Sequence, residues 1–543
     1  MKRKSKIYKI FKAISTAVCI PLILLWILIV MLYIPPLQHY AVEKVCHEVS
    51  KASGFDIKIE SFHLAFPLKL SIEGFDVSRN DTTFAQGEHA DVNISFLPLL
   101  SGEVEANYIS LEKSIINTAD LIDGIKIDGE IGFFRVIARN IDLEKEIANL
   151  RQINIHSTDI NIILNDTTAN NKEEDDTPLG WIINLHRGSI ENCRFALSMP
   201  LDTMSASLDL GKLLIRKGKI DLSKEIYGIG AVALSNTGVR FDAGAENRET
   251  EPLNHIELDN INIACQNIDY TPDSTRLELK RFNFIQPGGV RITNASTKLF
   301  ADRKSLNIED FTINSKNGSY IKASTTLAWS AIFGNEGNIN AGLSLAVNKK
   351  DLRALLTKEQ LDALTIFEND MFEGVFAVSG NASHLNFDTI DINIPSIANL
   401  QANGHASNID NMDMFEARLD LKGKTGDIKR FVTQEINDST PEVTVSTEGY
   451  VTYLDKTITT DLNILGLGGN IKTKASYDTF QNGYTADIDI KDLDITTLLD
   501  EVPLKKITGN INAKGKGFDI FSKETGYDIA LSIDTIVYDN IKL

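Results

Sequence analysis

The sequence predicts a mainly β protein: a single N-terminal transmembrane helix followed by a long curled antiparallel β-sheet, an open β-groove, with a few short helices. Three observations carry this. An uncharged apolar run comes near the start. After it, apolar and polar residues alternate with a period of two almost to the end. Asn-Gly and Gly-Asn dipeptides break the alternation at intervals, as turns do.

Residues 1–12, MKRKSKIYKIFK, hold Lys2, Arg3, Lys4, Lys6, Lys9 and Lys12 and no acid, which makes them a cytoplasmic basic tail. Residues 13–34, AISTAVCIPLILLWILIVMLYI, are 22 residues without a charge. At about 1.5 Å per residue they span roughly 33 Å, enough for a bilayer core of about 30 Å. Ala13, Leu22, Leu25, Trp26, Leu28 and Ile34 mark the expected membrane anchor. A cleaved signal would have a shorter apolar core and a small-residue cleavage site. Here the run is long and is followed by Pro35 and Pro36. The expectation is a single-pass protein of the inner (plasma) membrane, N-terminus cytoplasmic and bulk periplasmic.

Residues 35–53 read as a juxtamembrane amphipathic helix. Val42, Val45, Cys46 and Val49 fall at helical spacing, and Gly54 follows as a stop. Residues 54–164 form an N-terminal β region. Its last stretch places Ile153 and Ile155 on one parity and Ile160 and Ile162 on the other, so a turn or bulge lies at 156–159. The polar acidic stretch 165–178, NDTTANNKEEDDTP, reads as a disordered loop. Residues 179–543 continue the β-groove, with short helices near 351–369 (Asp351 as cap), 425–437 and 495–502. Along this part Ile256, Leu258, Ile261 and Ile263 alternate with polar residues. So do Ile390, Ile392 and Ile394, and Ile488 and Ile490. NG at 317–318, 403–404 and 482–483 and GN at 337–338, 380–381 and 469–470 read as turns.

Composition excludes several classes. The net charge is −19, and the basic residues of the tail make the remainder more acidic still. Nucleic acid is not an expected partner, because its binding depends on neutralising phosphates. The four cysteines, Cys19, Cys46, Cys193 and Cys265, form no CxxC. A Cys193–Cys265 bridge stays open in an oxidising compartment. The nine histidines are scattered without ligand spacing, GLGGN at 466–470 lacks dinucleotide-binding spacing, and no GxSxG or phosphate loop occurs. No enzyme activity, metal or cofactor is expected.

Clean alternation gives one dry face and one wet face. Consecutive closed sandwiches would satisfy it, and so would one sheet curled into a trough. About 30 strands at about 4.8 Å would make a trough of about 140 Å. Exposing an acyl chain costs about 0.8 kcal/mol per CH₂, so such a trough is suited to carrying phospholipid acyl chains through water. The thirteen alternating Ile and Leu positions named above, from Ile153 to Ile490, are the candidate groove lining.

The opening arrangement resembles the AsmA-like superfamily, most closely its TamB-like (translocation and assembly module) members. The residues that carry the likeness are the basic start and anchor, then SKASGFDIKIESFHLAFPLKLSIEGFDVS, HADVNISFLPLLSGEVEANYISLEKSIINTAD (89–120) and IKIDGEIGFFRVIARNIDLEKE (125–146). Later come FEGVFAVSGNASHLNFD (372–388) and KKITGNINAKGKGFDI (505–520). The resemblance implies an inner-membrane anchor, a periplasmic bridge-like lipid-transfer groove and phospholipid movement toward the outer membrane. It also implies an outer-membrane barrel protein as a partner in protein secretion and assembly. The family's C-terminal domain has no counterpart before DTIVYDNIKL, so the chain reads as lacking it. The alternative is an envelope scaffold that hands β-strands to such a barrel.

Overall fold

The computed structural model describes residues 34–65, 68–80, 82–95, 105–118, 124–142, 145–165, 180–244, 254–287, 289–333, 336–353, 356–357, 359–360, 371–395, 397–428, 442–494, 496, 504–517, 525–538 and 541–542. Anchor residues Ala13, Leu22, Leu25, Trp26 and Leu28, the stretch 166–178 and most of the expected later helices lie outside them. Among the described residues no helix is long and apolar enough to cross a membrane.

Alternation becomes strand almost throughout. Among the described residues twenty-six strands form a single sheet that does not close. The chain divides into two units, residues 1–272 and 273–543. The first holds α1 (Pro35–Ser53) and ten strands: β1 (Asp56–Ala65), β2 (Lys69–Arg79), β3 (Thr82–Ile94), β4 (Ala106–Asn117), β5 (Ile125–Asp142), β6 (Ile147–Leu164), β7 (Ile182–Met199), β8 (Met204–Asp221), β9 (Ile226–Ala243) and β10 (His255–Thr271). The second begins with β11 (Ser274–Ile285), β12 (Arg291–Asp302), β13 (Ser305–Ser315), β14 (Tyr320–Ala328), β15 (Ile339–Asn348), β16 (Met371–Asn381), β17 (His384–Ile394) and β18 (Ala398–Ser407). It continues through β19 (Glu416–Thr425), β20 (Ser446–Leu454), β21 (Thr457–Gly466), β22 (Gly469–Asp478), β23 (Gly483–Leu493), β24 (Leu504–Lys516), β25 (Gly526–Tyr538) and β26 (Ile541–Lys542). Two one-turn helices, α2 (Ser330–Phe333) and α3 (Lys349–Leu352), flank β15.

Within each unit, successive strands pair antiparallel except β6 and β7, which run parallel from Ile147↔Ile182 to Ile163↔Ser198. This corrects the all-antiparallel expectation. Seventeen residues separate Leu164 from Ile182. A parallel step needs a connection of about a dozen residues or more, and this acidic stretch supplies it.

Helix α1 starts with Pro35, whose missing N–H costs nothing there, and ends at Gly54 in the left-handed region (φ 74°). It covers the outer edge of β1. The buried Gln38 side chain donates to Leu64 O at 3.0 Å and accepts from Leu64 N–H at 3.1 Å. Ser50 Oγ accepts from Ile57 N–H at 3.2 Å. Side chains thus take the place of a neighbouring strand on an edge that would otherwise invite one.

Three local expectations change. Asn348, not Asp351, caps α3, because its backbone is still extended while its side chain accepts from Lys350 N–H. Asp351 instead accepts from Ser315, Asn317 and Ser319 at the β13–β14 turn. The start of the 425–437 helix is the end of β19, with Thr425 paired to Ala398. The dipeptide Asn403-Gly404 lies inside β18, where a Cβ on Gly404 would meet Arg418 O at 1.9 Å. There glycine allows two backbones to approach, and the turn comes later, at 408–415.

The expected break at 156–159 is a bend, and it recurs in other strands. Lys113 in β4, Ser157 in β6, Asn192 in β7 and Asn236 in β9 are left-handed, with φ between 45° and 54°. The residue after each returns its hydroxyl or thiol to the carbonyl two positions earlier. Ser114 donates to Glu112 O (3.2 Å), and Thr158 to His156 O, Cys193 to Glu191 O and Thr237 to Ser235 O (3.3 Å each). All four side chains are buried, Thr237 completely. They supply a donor where the cross-strand pairing skips. The bends align across the ladder because glycines oppose them. A Cβ on Gly132 would lie 2.4 Å from Ser157 O, and one on Gly211 2.4 Å from Asn236 O.

Thr237→Val keeps the shape and removes the donor. It should lower stability by about 1–3 kcal/mol, the cost of an unpaired buried carbonyl, whereas Thr237→Ser should stay near wild type. Urea denaturation checks this: equal midpoints for the two variants would show that the hydroxyl is not the stabilising group.

Candidate functional site

Directly opposed residues on neighbouring strands share a face. Following the register therefore shows which of the candidate lining residues lie together. In the first unit one row runs Phe62, Ile72, Ala90, Leu111, Phe134, Ile155, Ile190, Leu213, Leu234, Ile263 from β1 to β10. Beyond the bend a second row runs Ile57, Val77, Ala85, Ile116, Gly129, Ile160, Phe195, Leu208, Val239, Leu258. Ile162 and Ile256 share a third row. Ile153 shares another with Cys265, and Ile261 faces Thr237 in the bend itself.

The apolar positions in β6 are thus Ile153, Ile155, Thr158, Ile160 and Ile162, with one step of three among steps of two. One left-handed residue absorbs the extra step. Thr158 is buried while His156, Ser157 and Asp159 are exposed, so the two halves of the strand keep their apolar side chains on one face. The opposite face is continuous across the bend as well. Glu73 and His89 from one side of it, and Asp76 and Gln86 from the other, line a single hollow.

The second unit repeats the arrangement. Ile390 and Ile488 lie on one row with Phe376, Leu421, Leu462 and Ile511. Ile392 and Ile490 share the next with Leu345, Leu400, Ile464 and Ile471. Ile394 pairs with Ala398 one step further out. Asp487 and Asp489, which alternate with Ile488, both accept from Asn510 Nδ2 at 2.8 Å on the other face.

These rows are not a closed core. Among the described residues fourteen apolar side chains are buried, and seven of them are alanines. The Ile and Leu of the rows are mostly half-buried, and among the described residues there is no second sheet to lie against them. Leaving such a side chain uncovered forfeits about 1.5–3 kcal/mol, so the face favours an apolar occupant.

The polar face is a lattice of paired charges. Arg240 reaches Asp209 at 2.8 Å and Glu257 at 3.1 Å, and Arg418 reaches Asp420 at 2.8 Å. Most pairs are exposed and worth little each. Asp91 in β3 differs because it is buried. It accepts from Lys69 at 2.8 Å and from Ser71, and His89 Nε2 lies 3.1 Å away. Burial alone would push its carboxyl up, but Lys69, Ser71 and the charges of Lys69 and His89 outweigh that and hold it below its ordinary value.

Among the described residues no group of three or more His, Cys, Asp or Glu side chains is placed to hold a metal. Cys46, Cys193 and Cys265 are free thiols. No protein-family model and no curated protein matches this sequence.

Sequence reading had found the alternating sets but not their alignment. It places the bend at 156–159 but not those at Lys113, Asn192 and Asn236, whose signal is a Lys or Asn followed by Ser, Cys or Thr inside a strand. The Asp91 cluster left no trace in spacing.

A carboxylate with a depressed folded-state pKa adds stability that is full above its unfolded pKa and is lost as pH falls through the folded value. Amide-exchange protection of β2 and β3 should therefore fall on acidification below the usual carboxylate range. In Asp91→Asn this loss should disappear; an unchanged pH profile in that variant would reassign it to another group.

Proposed function

We propose that the protein is a membrane-anchored envelope conduit for lipid. The single supporting observation is that apolar rows run in register from strand to strand on one face, without a second sheet among the described residues to cover them. Phospholipid acyl chains lie along the rows, while headgroups stay in water beyond the strand ends. The uncharged run 13–34 fixes the chain in the inner membrane, the bulk stands in the periplasm, and lipid moves toward the outer membrane to support its integrity. This agrees with the resemblance to AsmA-like, TamB-like proteins. The chemistry needs no nucleophile, metal or cofactor, because the work is desolvation alone.

One observation favours the second reading, a scaffold that passes β-strands to an outer-membrane barrel protein. Among the described residues the outer edge of β25 pairs with the two-residue β26 alone, at Val537↔Lys542 and Tyr538↔Ile541. Ile529 and Leu531 beside that edge are exposed. Backbone pairing with a client strand would use such an edge.

Photoreactive residues at Ile256, Ile390 and Ile488 should capture acyl chains in the full-length protein, and residues at Asp487 and Asp489 should not. Equal labelling of both sets, or capture of polypeptide instead of lipid, would overturn the conduit. Ile392→Glu should abolish lipid transfer between donor and acceptor vesicles while circular dichroism stays native, because the half-buried site leaves the carboxylate near water. Unfolding of this variant would indicate a closed core.

A further inference from the structure

The apolar rows of the second unit end differently at the two ends of the strands. At one end the last row carries Tyr453, Tyr477, Tyr484 and Tyr527. At the other end Leu493 faces Ile507, which faces Ile536. Tyr477 donates its hydroxyl to Asn482 Oδ1 at 2.9 Å, so its polar tip points to the turn and its ring to the rows.

Beyond the tyrosines the surface becomes apolar again. Met412, Met414, Leu454 and Phe480 are between 54% and 78% exposed. They occupy three neighbouring turns that touch one another, with Leu454 at the strand end that leads into one of them. Lys456 Nζ lies 3.8 Å from Asp413 and 5.7 Å from the Phe480 ring centre. The Thr479 N–H and hydroxyl donate to Lys456 O at 2.8 and 2.7 Å. The Phe415 ring stands 5.5 Å from Tyr453. One continuous apolar lip therefore runs over the turns 408–415, 455–456 and 479–482.

We propose that this lip is a bilayer-contact edge that takes a zwitterionic lipid surface. Two arguments support it. Apolar tips followed by a tyrosine row reproduce the order of polarity met on leaving a leaflet, with amphipathic rings at headgroup depth. The charges match as well. Lys456 offers an ammonium to a phosphate, and the exposed carboxylates of Asp410 and Asp455 suit a headgroup ammonium. A strongly anionic surface would meet those carboxylates and be repelled. The edge rests on the conduit reading and extends it, since a lipid leaving the leaflet here passes over the tyrosines directly onto the apolar rows.

The test uses the full chain reconstituted with phosphatidylcholine vesicles, with a photoreactive residue at Met412, Phe480, Ile488 or Leu465. Leu465 is an exposed apolar residue at the opposite end of β21. Lipid adducts at Met412 and Phe480 should exceed those at Leu465 about tenfold, the ratio for ~1.4 kcal/mol. They should fall when half the lipid is made anionic. Equal labelling at Leu465, polypeptide adducts at Met412 and Phe480, or a rise with anionic lipid would overturn the edge. Adducts at Ile488 with none at Met412 and Phe480 sink the edge and keep the conduit. Adducts at Met412 and Phe480 with none at Ile488 keep the edge and sink the conduit.

Discussion

A sheet that bends while keeping one face apolar must break its own two-residue period at the bend. This constraint underlies the arrangement of the first unit. A left-handed residue supplies the break, and without it every apolar position beyond the bend would turn to the polar side. The cost is a backbone conformation that most side chains avoid and a carbonyl without its ladder partner. Asn at two of the sites eases the first, and the hydroxyl or thiol of the next residue answers the second. Glycines on the strands between remove the clash that would scatter the bends along the ladder. Register, bend and apolar face are thus one solution, not three.

The two faces then do different physical work. The polar face is solvated, and its ion pairs contribute through number and alternation, with Asp91 as the buried exception. The chain buries few large apolar side chains, since among the described residues seven of the fourteen buried ones are alanines. Stability must come mainly from the long ladders, whose edge at β1 is closed by Gln38 and Ser50 of α1. Such a division leaves the larger aliphatic side chains available to an occupant.

The strand content and the dry face were legible because alternation is a direct imprint of the pleat. Ile153 to Ile162 even showed the position of one bend, since a step of five between Ile155 and Ile160 interrupts the alternation. What could not be read was that this break shares a column with the step of three between Leu258 and Ile261, because column membership runs through the four successive pairings from β6 to β10. The parallel step was hidden for a similar reason: a loop's letters give its length but not the direction in which the chain returns. Asn403-Gly404 misled because the pair serves close approach as well as turns, and the choice is made by Arg418 on the next strand. The tyrosine row is spread over 75 residues of sequence, from Tyr453 to Tyr527, and becomes a row only in register.

The parallel step between β6 and β7 has a consequence for how such a chain can lengthen. In an unbroken meander, material is gained or lost two strands at a time, since a single strand reverses everything downstream and sends each turn to the opposite end. Each added hairpin extends the rows by about 10 Å without altering its neighbours. A parallel junction relaxes that parity rule, because the chain recrosses the sheet before resuming. The acidic connection after Leu164 is therefore the place in this unit where odd and even strand counts are interchangeable, a splice point written into topology instead of sequence.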